Sequence, residues 1–580
     1  MFTSSTPKRG ASGLGAHDYV AYFCAEYGIS DKLPIYSGGL GVLAGDIVQE
    51  AAAQKLPFVA VGLFYKKGYF HQFVDTSGQH ESTTLITPAK VPLHLAVDEK
   101  GETVLIEVPV QERIVYAQIW RFNIDGTSLF LLDTDHWKNS EADRNITDQL
   151  YAGDQAKRIQ QELVLAVGGY RALERLGIAP TIFHMNEGHS AFLSLELISK
   201  HMKSGMSLEA AKAAARQQLI FTNHTLVAAG NDAFPHDMVK TLLGKYAFDS
   251  GVGIDTVISL GDAPEKPGNF SMTMLALRMS RKSNAVSKLH AKKAKDLWPD
   301  FKLEAVTNGV HLPQWVAKEW QDHWTKLMPT WKTTTSDPKM WRALNKLSDA
   351  DLWGTHMELK RKLLDKVYDE TGVRLEEDVL TIVWARRFAT YKRPDLLFND
   401  IEKLKELVFS SDRPIQIIVA GKSHPADQQG KDIIAHIEYL ANYDLKRRAV
   451  FVDDYSITLA KYLVAGADVW LNTPIFGLEA SGTSGMKAAA NGAIQFTTPD
   501  GWAYEVDWYG LGYALPIHKA ETHIYSLFEK KIIPTFYKHD KNGIPRLWVA
   551  MMRDTMATVS PMFSSTRMVN EYVSKMYGAK

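Results

Sequence analysis

The sequence predicts an α/β protein of two Rossmann-like domains facing a central cleft, the first domain carrying an antiparallel β insert. Three observations predict it. Residues 379–497 alternate continuous apolar runs with helical segments, the pattern of a parallel sheet buried on both faces. A glycine cluster, Ser37-Gly38-Gly39-Leu40-Gly41, stands between a strand-like run and a helical one. At 580 residues the chain exceeds what a single hydrophobic core spans.

Taken in order, residues 1–16 are rich in Ser and Gly and read as a flexible tail, with no apolar stretch of signal-peptide length. His17–Glu26 reads as a buried strand, Ala44–Ala53 as a helix and Pro57–Phe64 as a second buried strand. Between Thr103 and Asp135 the apolar pattern alternates with no helix between runs, which predicts the antiparallel insert. Helical spacing returns at Gln155–Leu176. Strand-like runs at Thr181–Met185, Leu219–Thr222 and Glu304–Val306 lead into the polar stretches HMNEGHSAF, Asn223-His224-Thr225 and Asn308-Gly309-Val310-His311. His184 and His189 are five apart, a spacing that does not share a helix face, so no metal site is expected.

A shift to Pro, Thr and Trp at 328–341 marks a domain boundary near 335. The amino-terminal domain is therefore expected over 17–335 and the carboxyl-terminal one over 336–556. Segment 557–580 is expected as a closing helix, Pro561–Tyr577, with proline in its first turn, packing back on the first domain.

Composition narrows the function. Hydrophobic residues at 45% and charged residues at 23% describe an ordinary globular protein. Lys+Arg and Asp+Glu both number 66, so no net charge draws the chain to nucleic acid or an anionic membrane. The single cysteine, Cys24, excludes an internal disulfide and favours a cytoplasmic location.

Polar groups recur where strands of the second half end. Arg386, Arg387, Tyr391, Lys392 and Arg393 follow the first strand, Lys422 the second and Tyr455 the third. Glu479-Ala480-Ser481-Gly482-Thr483-Ser484-Gly485-Met486-Lys487 follows the fourth. Strand exits of a parallel sheet share one edge, so these groups converge. Arginines and lysines at a glycine-rich edge suit a phosphate-bearing ligand. Residue types and spacing thus predict a phosphate-handling α/β enzyme without fixing its reaction.

Several ordered motifs go further: AEYGISDKLPIYSGGLGVLAGD, GLFYKKGYF, QLYAGDQAKRIQQE, HMNEGHSAF, TNHTLVAAG, TNGVHLPQW, WARRFATYKRP, DDYSITLAK and EASGTSGMKAAANGA. With them the chain resembles the α-1,4-glucan phosphorylases, the pyridoxal-phosphate-dependent glycogen, starch and maltodextrin enzymes, in their short bacterial branch. The resemblance implies the GT-B glycosyltransferase architecture. It also implies phosphorolysis of an α-1,4-glucan by inorganic phosphate from the non-reducing end to α-D-glucose 1-phosphate, with retention.

By that resemblance Lys487 holds pyridoxal 5'-phosphate as a Schiff base. Arg386, Lys392, Gly482 and Thr483 lie around the cofactor phosphate, and Trp315 and Tyr455 line the cofactor. Arg387 and Lys392 share the task of offsetting two adjacent phosphates, and Gly38 and Gly39 offer backbone donors to the substrate phosphate. Glu479, Ser481 and Asn308 match groups that bind the glucose ring. His224 and Tyr391 match groups beside the reacting sugar. The chain ahead of the first family strand is short and Gln314 stands where long members have arginine, so allosteric control is not expected. A homodimer stays open, as does the preferred glucan. Two other readings compete: a cofactor-free glucosyltransferase using a nucleotide sugar, which has no use for Lys487, and a non-catalytic glucan-binding homologue.

Overall fold

The computed structural model describes residues 14–15, 18–151, 153–227 and 231–578. The expected flexible tail lies almost wholly outside them. Two large sheets organise the described chain, one of ten strands and one of six. In the first, the parallel order runs Leu303–Ala305, Lys282–Ala285, Leu219–Asn223, Ile182–Asn186, Val20–Phe23, Phe58–Leu63 and Thr127–Asp133. Arg113–Ile124 then pairs antiparallel with Thr127–Asp133, and Leu105–Val110 and Leu93–Leu95 pair antiparallel with Arg113–Ile124. The central parallel strands Val20–Phe23, Phe58–Leu63, Ile182–Asn186 and Leu219–Asn223 are buried along their whole length, whereas Arg113–Ile124 alternates mostly buried and half-buried positions, as a sheet with one wetter face requires.

The second sheet is parallel throughout, in the order Ala449–Val452, Ile415–Ala420, Leu380–Ala385, Val469–Asn472, Ile494–Thr497, Gly512–Ala514. Each sheet has one place where the strand order reverses. In the first it lies between Val20–Phe23 and Ile182–Asn186, and in the second between Leu380–Ala385 and Val469–Asn472. Loops leaving adjacent strands there turn to opposite faces of the sheet and open a crevice.

Core packing crosses the boundary read near 335, and the segment after 556 is shared between the two cores. Leu312, Trp315, Trp320, Trp324 and Trp331 already join the core around the second sheet. Trp324 meets Trp331 and Trp341 edge to face, with centroids at 5.1 and 4.6 Å, so the Pro- and Trp-rich stretch is a packed aromatic knot. Met568, Val569, Tyr572, Val573 and Tyr577, by contrast, belong to the core around the first sheet.

Two sequence expectations need correction. Pro561 does not open the last helix; it sits near the carboxyl end of Arg546–Met562, and the chain restarts as Ser565–Glu571 before a wider turn over Tyr572–Tyr577. Proline has no N–H to continue the ladder, and Ser564 begins the next helix by accepting the Arg567 N–H at 3.2 Å. The helix read from Ala44 begins instead at Gly39. Glu26 explains the early start, because its Oε2 accepts the N–H groups of Ser37 at 2.6 Å and Gly38 at 3.4 Å. At Gly41 a Cβ would lie 2.7 Å from both that oxygen and Tyr36, so only glycine lets the helix approach.

Candidate active site

The loops that leave the two reversal points carry most of the residues singled out in the sequence. From the first sheet come Glu26 and Glu187; from the second come Arg386 and, beyond Asn472, Glu479. The two sides touch. Ser287 Oγ donates to Ala480 O at 2.6 Å and Thr307 Oγ1 to Glu505 at 2.7 Å.

Glu479 is the hub on the second-sheet side. Its Oε2 accepts from Arg386 Nη2 at 2.7 Å and from Lys392 Nζ at 2.8 Å, and all three side chains are buried. Burial would push this carboxyl up, but the charges of Arg386 and Lys392 hold it down at about 2. Arg386 Nη1 also donates to Asn472 Oδ1. Asp500 anchors the same loop by accepting the N–H of Glu479 at 3.1 Å and of Gly477 at 2.9 Å. Gly482 has φ +79, and a Cβ there would meet Glu479 Oε1 at 3.3 Å. The turn therefore needs glycine for its backbone and its space.

Arg387 and Lys392, expected to share one task, both lie against Tyr391 but differ in their other partners. Lys392 is engaged by Glu479, with its Nζ 4.8 Å from the Tyr391 ring. Arg387 is exposed, forms no ion pair among the described residues, and lies within electrostatic reach of Tyr391, Tyr69 and Tyr151. Tyr69 and Tyr151 come from the first half, so Arg387 projects across the crevice.

Lys487 is 6% exposed on the short helix Ser484–Ala490, and its amine makes no hydrogen bond or ion pair among the described residues. Its Nζ lies 3.7 Å from the centroid of Trp315, and burial brings it down to about 8. Tyr455 is half-buried, its hydroxyl pushed up to about 12 by burial against the pull of Arg386.

On the first-sheet side, His224 Nε2 is 2.6 Å from Asn186 Oδ1, and its N–H donates to Glu187 Oε2 at 2.8 Å. Burial and the neighbouring His290, His184 and His189 lower this imidazole to about 3, so it is neutral near pH 7. Gly38 spends its N–H on Glu26, while Gly39 is exposed at the helix start with open space around it. Asn308 Oδ1, Ser481 Oγ and Arg386 Nε are buried with no hydrogen-bond partner. Buried polar groups are rarely left so, and these three fit a site shaped for a polar ligand.

Sequence reasoning missed Asp46, Glu26, Asn186, Glu187 and Asp500. Glu187 stood in view inside HMNEGHSAF, beside the histidines considered as ligands. His184 is instead spent on structure, with Nδ1 2.8 Å from Tyr577 and Nε2 2.7 Å from Thr222. Among the described residues Glu162, His189 and Asp232 do offer ligand atoms within 4.8 Å of one another, but Arg158 Nη2 is 2.7 Å from Asp232 and already brings positive charge there.

A family model described as carbohydrate phosphorylase matches residues 256–509. The chain is 38% identical to the maltodextrin phosphorylase of Thermococcus litoralis, over 96% of this chain and 70% of that protein. It is 36% identical to the glycogen phosphorylase of Mycobacterium tuberculosis, over 96% and 70%, and 34% identical to that of Aquifex aeolicus, over 96% and 86%. This chain belongs to the carbohydrate phosphorylases. As a phosphorylase chain it has no described helix long and apolar enough to cross a membrane.

Proposed function

We propose that this chain is an α-1,4-glucan phosphorylase, cleaving glycogen or maltodextrin from the non-reducing end with inorganic phosphate to give α-D-glucose 1-phosphate with retention. One observation carries the reading: Lys487 presents a buried amine with no hydrogen-bond or ion-pair partner among the described residues against the face of Trp315. The similarity to maltodextrin and glycogen phosphorylases over 96% of the chain supports it. We propose two Rossmann-like domains closing on this crevice, and a cytoplasmic location consistent with one buried, unpaired cysteine.

Pyridoxal phosphate fits the residues present. Lys487 would attach it, Trp315 and Tyr455 would flank it, and Gly482, Thr483, Arg386 and Lys392 would surround its phosphate. When bound, it supplies a phosphate group able to exchange a proton with the substrate phosphate.

The protein's own residues do the rest. Two anions side by side in a dry site repel, so cations must offset them. Arg387, exposed and without an ion pair among the described residues, is suited to capture inorganic phosphate. The exposed N–H of Gly39 adds a donor, more freely than Gly38, whose N–H leans on Glu26. Glu479, Ser481 and Asn308 are placed to bind glucose hydroxyls, and the orphaned Oγ of Ser481 and Oδ1 of Asn308 would gain partners. His224 is held neutral and clamped at its N–H and ring, so its carbonyl and ring can face positive charge developing at the anomeric carbon. Tyr391 would line the same sugar.

The test is glucose 1-phosphate release from maltodextrin with and without added phosphate. Release that needs phosphate and vanishes in Lys487→Ala is expected. Release without phosphate, or undiminished in Lys487→Ala, defeats the reading.

A further inference from the structure

Asp46 lies on the helix Gly39–Ala53 and is 1% exposed. A carboxylate removed from water is costly unless something answers its charge. Trp315 Nε1 donates to it, at 2.8 Å to Oδ1 and 3.1 Å to Oδ2. The face of the same indole carries Lys487 Nζ at 3.7 Å from its centroid. One ring thus serves both charges, its N–H edge on the anion and its π face on the cation. Burial pushes Asp46 up and Lys487 down, and each charge pulls the other back toward its ordinary value.

We propose that Asp46 is a positioning residue: it fixes the Trp315 ring under Lys487 and supplies the counter-charge for the lysine nitrogen. The inference rests on reading Lys487 as the attachment point of pyridoxal phosphate. Two other charged groups reach Asp46 itself, His311 and Lys461. His311 Nδ1 is 3.0 Å from Glu50 Oε2. Lys461, on the helix Ile457–Gly466, feels both Asp31 and Asp46. On the helix Arg546–Met562, which packs against Ser484–Ala490, Arg546 and Arg553 bind Asp349 and Asp554 is exposed. Gly485, two residues before Lys487, faces Gln495 and Trp502. Burial lowers the Lys487 amine, and the charge of Asp46 draws it back toward its ordinary value.

Asp46→Asn keeps the volume and an acceptor for the indole while deleting the charge. In holoenzyme, the pH midpoint of the near-ultraviolet pyridoxal absorbance is expected to fall by about one pH unit or more, the effect of removing a nearby opposite charge. In cofactor-free protein, acetylation of Lys487 by acetic anhydride at pH 7, followed by peptide mass, is expected to quicken several-fold, because more of the amine is uncharged. A folded D46N protein with neither change overturns the proposal. If D46N does not fold, Asp46→Ser, uncharged and smaller, is read by the same two measurements with the same outcomes. Failure of the underlying reading looks different: wild-type protein would take up no chromophore, or Lys487→Ala would keep it.

Discussion

The backbone N–H of His224 donates to Glu187 Oε2 at 2.8 Å, so one carboxylate ties together the exits of two neighbouring strands. Glu187 also accepts from the Gly188 N–H at 3.0 Å and Asn223 Nδ2 at 3.4 Å. It sits at φ +75, a conformation that costs a non-glycine residue roughly 1–3 kcal/mol. Three donors converge to hold it there, and the strain lies next to the imidazole assigned to the reacting sugar.

Glu187→Gln keeps the shape and weakens the grip. A displaced His224 is expected to lower kcat/KM about 10- to 100-fold, in the range that small misplacements cost. The variant also tests a linkage. Burial raises the Glu187 carboxyl to about 7, above the 4.5 of an unfolded glutamate. Between those values the folded protein keeps a proton that the unfolded chain has released, so stability falls as pH rises through that window and levels off above it. Thermal melts from pH 4.5 to 7 should show a shallower decline in Glu187→Gln than in wild type. Parallel curves would contradict the assignment.

Glu479 is the opposite case, a carboxyl held near 2 by two cations. Glu479→Ala strands Arg386 and Lys392 in a buried site, which is expected to destabilise the fold by about 3–5 kcal/mol. Glu479→Gln keeps an acceptor and should lose less stability while still losing most of kcat. Because its folded pKa is depressed, the stabilisation by wild-type Glu479 is complete above about 4.5 and drains away as pH falls toward 2. Denaturant titrations of both variants against wild type check the order; equal stability for all three would refute it.

A hairpin from the first half, His71–Asp75 with Gly78–Ser82, is pinned to strand exits of the second sheet. Gln72 Nε2 donates to Gly421 O and Gln79 Nε2 to Ser423 O, each at 2.9 Å, while Asp453 accepts the Val74 N–H at 2.9 Å. Removing both amides in Gln72→Ala/Gln79→Ala is expected to cost about 1–3 kcal/mol and loosen this bridge. Substrate capture depends on the crevice walls staying in register, so KM for glucan should rise several-fold with kcat less affected, and limited proteolysis near the hairpin should quicken. Unchanged KM and cleavage would show the bridge to be passive.

Much of this was legible beforehand because apolar runs report buried strands directly. Leu380–Ala385, Ile415–Ala420 and Ala449–Val452 fall inside the stretch 379–497, whose continuous apolar runs announced a buried parallel sheet. The basic and glycine-rich stretches after those strands also reached one region, since a parallel sheet gathers its exits. What the sequence hid were contacts made at long range. Nothing local distinguishes Asp46 from any helical aspartate until Trp315, 269 positions away, donates to it. Likewise the pairing of Lys392 with Glu479 spans 87 positions, so a motif could mark both residues as functional and still not show which cation stays free. Pro561 misled for a local reason: proline is tolerated at a helix start and, less often, near a helix end.

The final turn of the chain makes a prediction of its own. His184 is fully buried, with one ring nitrogen 2.8 Å from Tyr577 and the other 2.7 Å from Thr222. Burial lowers it to about 3, well below the 6.5 of an unfolded histidine. Its contribution is therefore intact above about 6.5 and is lost as pH falls toward 3, because unfolding frees the ring to take a proton. Tyr577→Phe deletes a hydroxyl buried against His184, leaving a ring nitrogen unsatisfied at a cost of about 1–3 kcal/mol at neutral pH. Since Tyr577 packs in the core of the first sheet, that loss should appear as faster amide exchange in Ile182–Asn186 and leave Ile494–Thr497 unchanged. Equal acceleration in both strands would mean that the carboxyl-terminal turn stabilises the whole chain at once, and no acceleration in either would mean that His184 finds another partner.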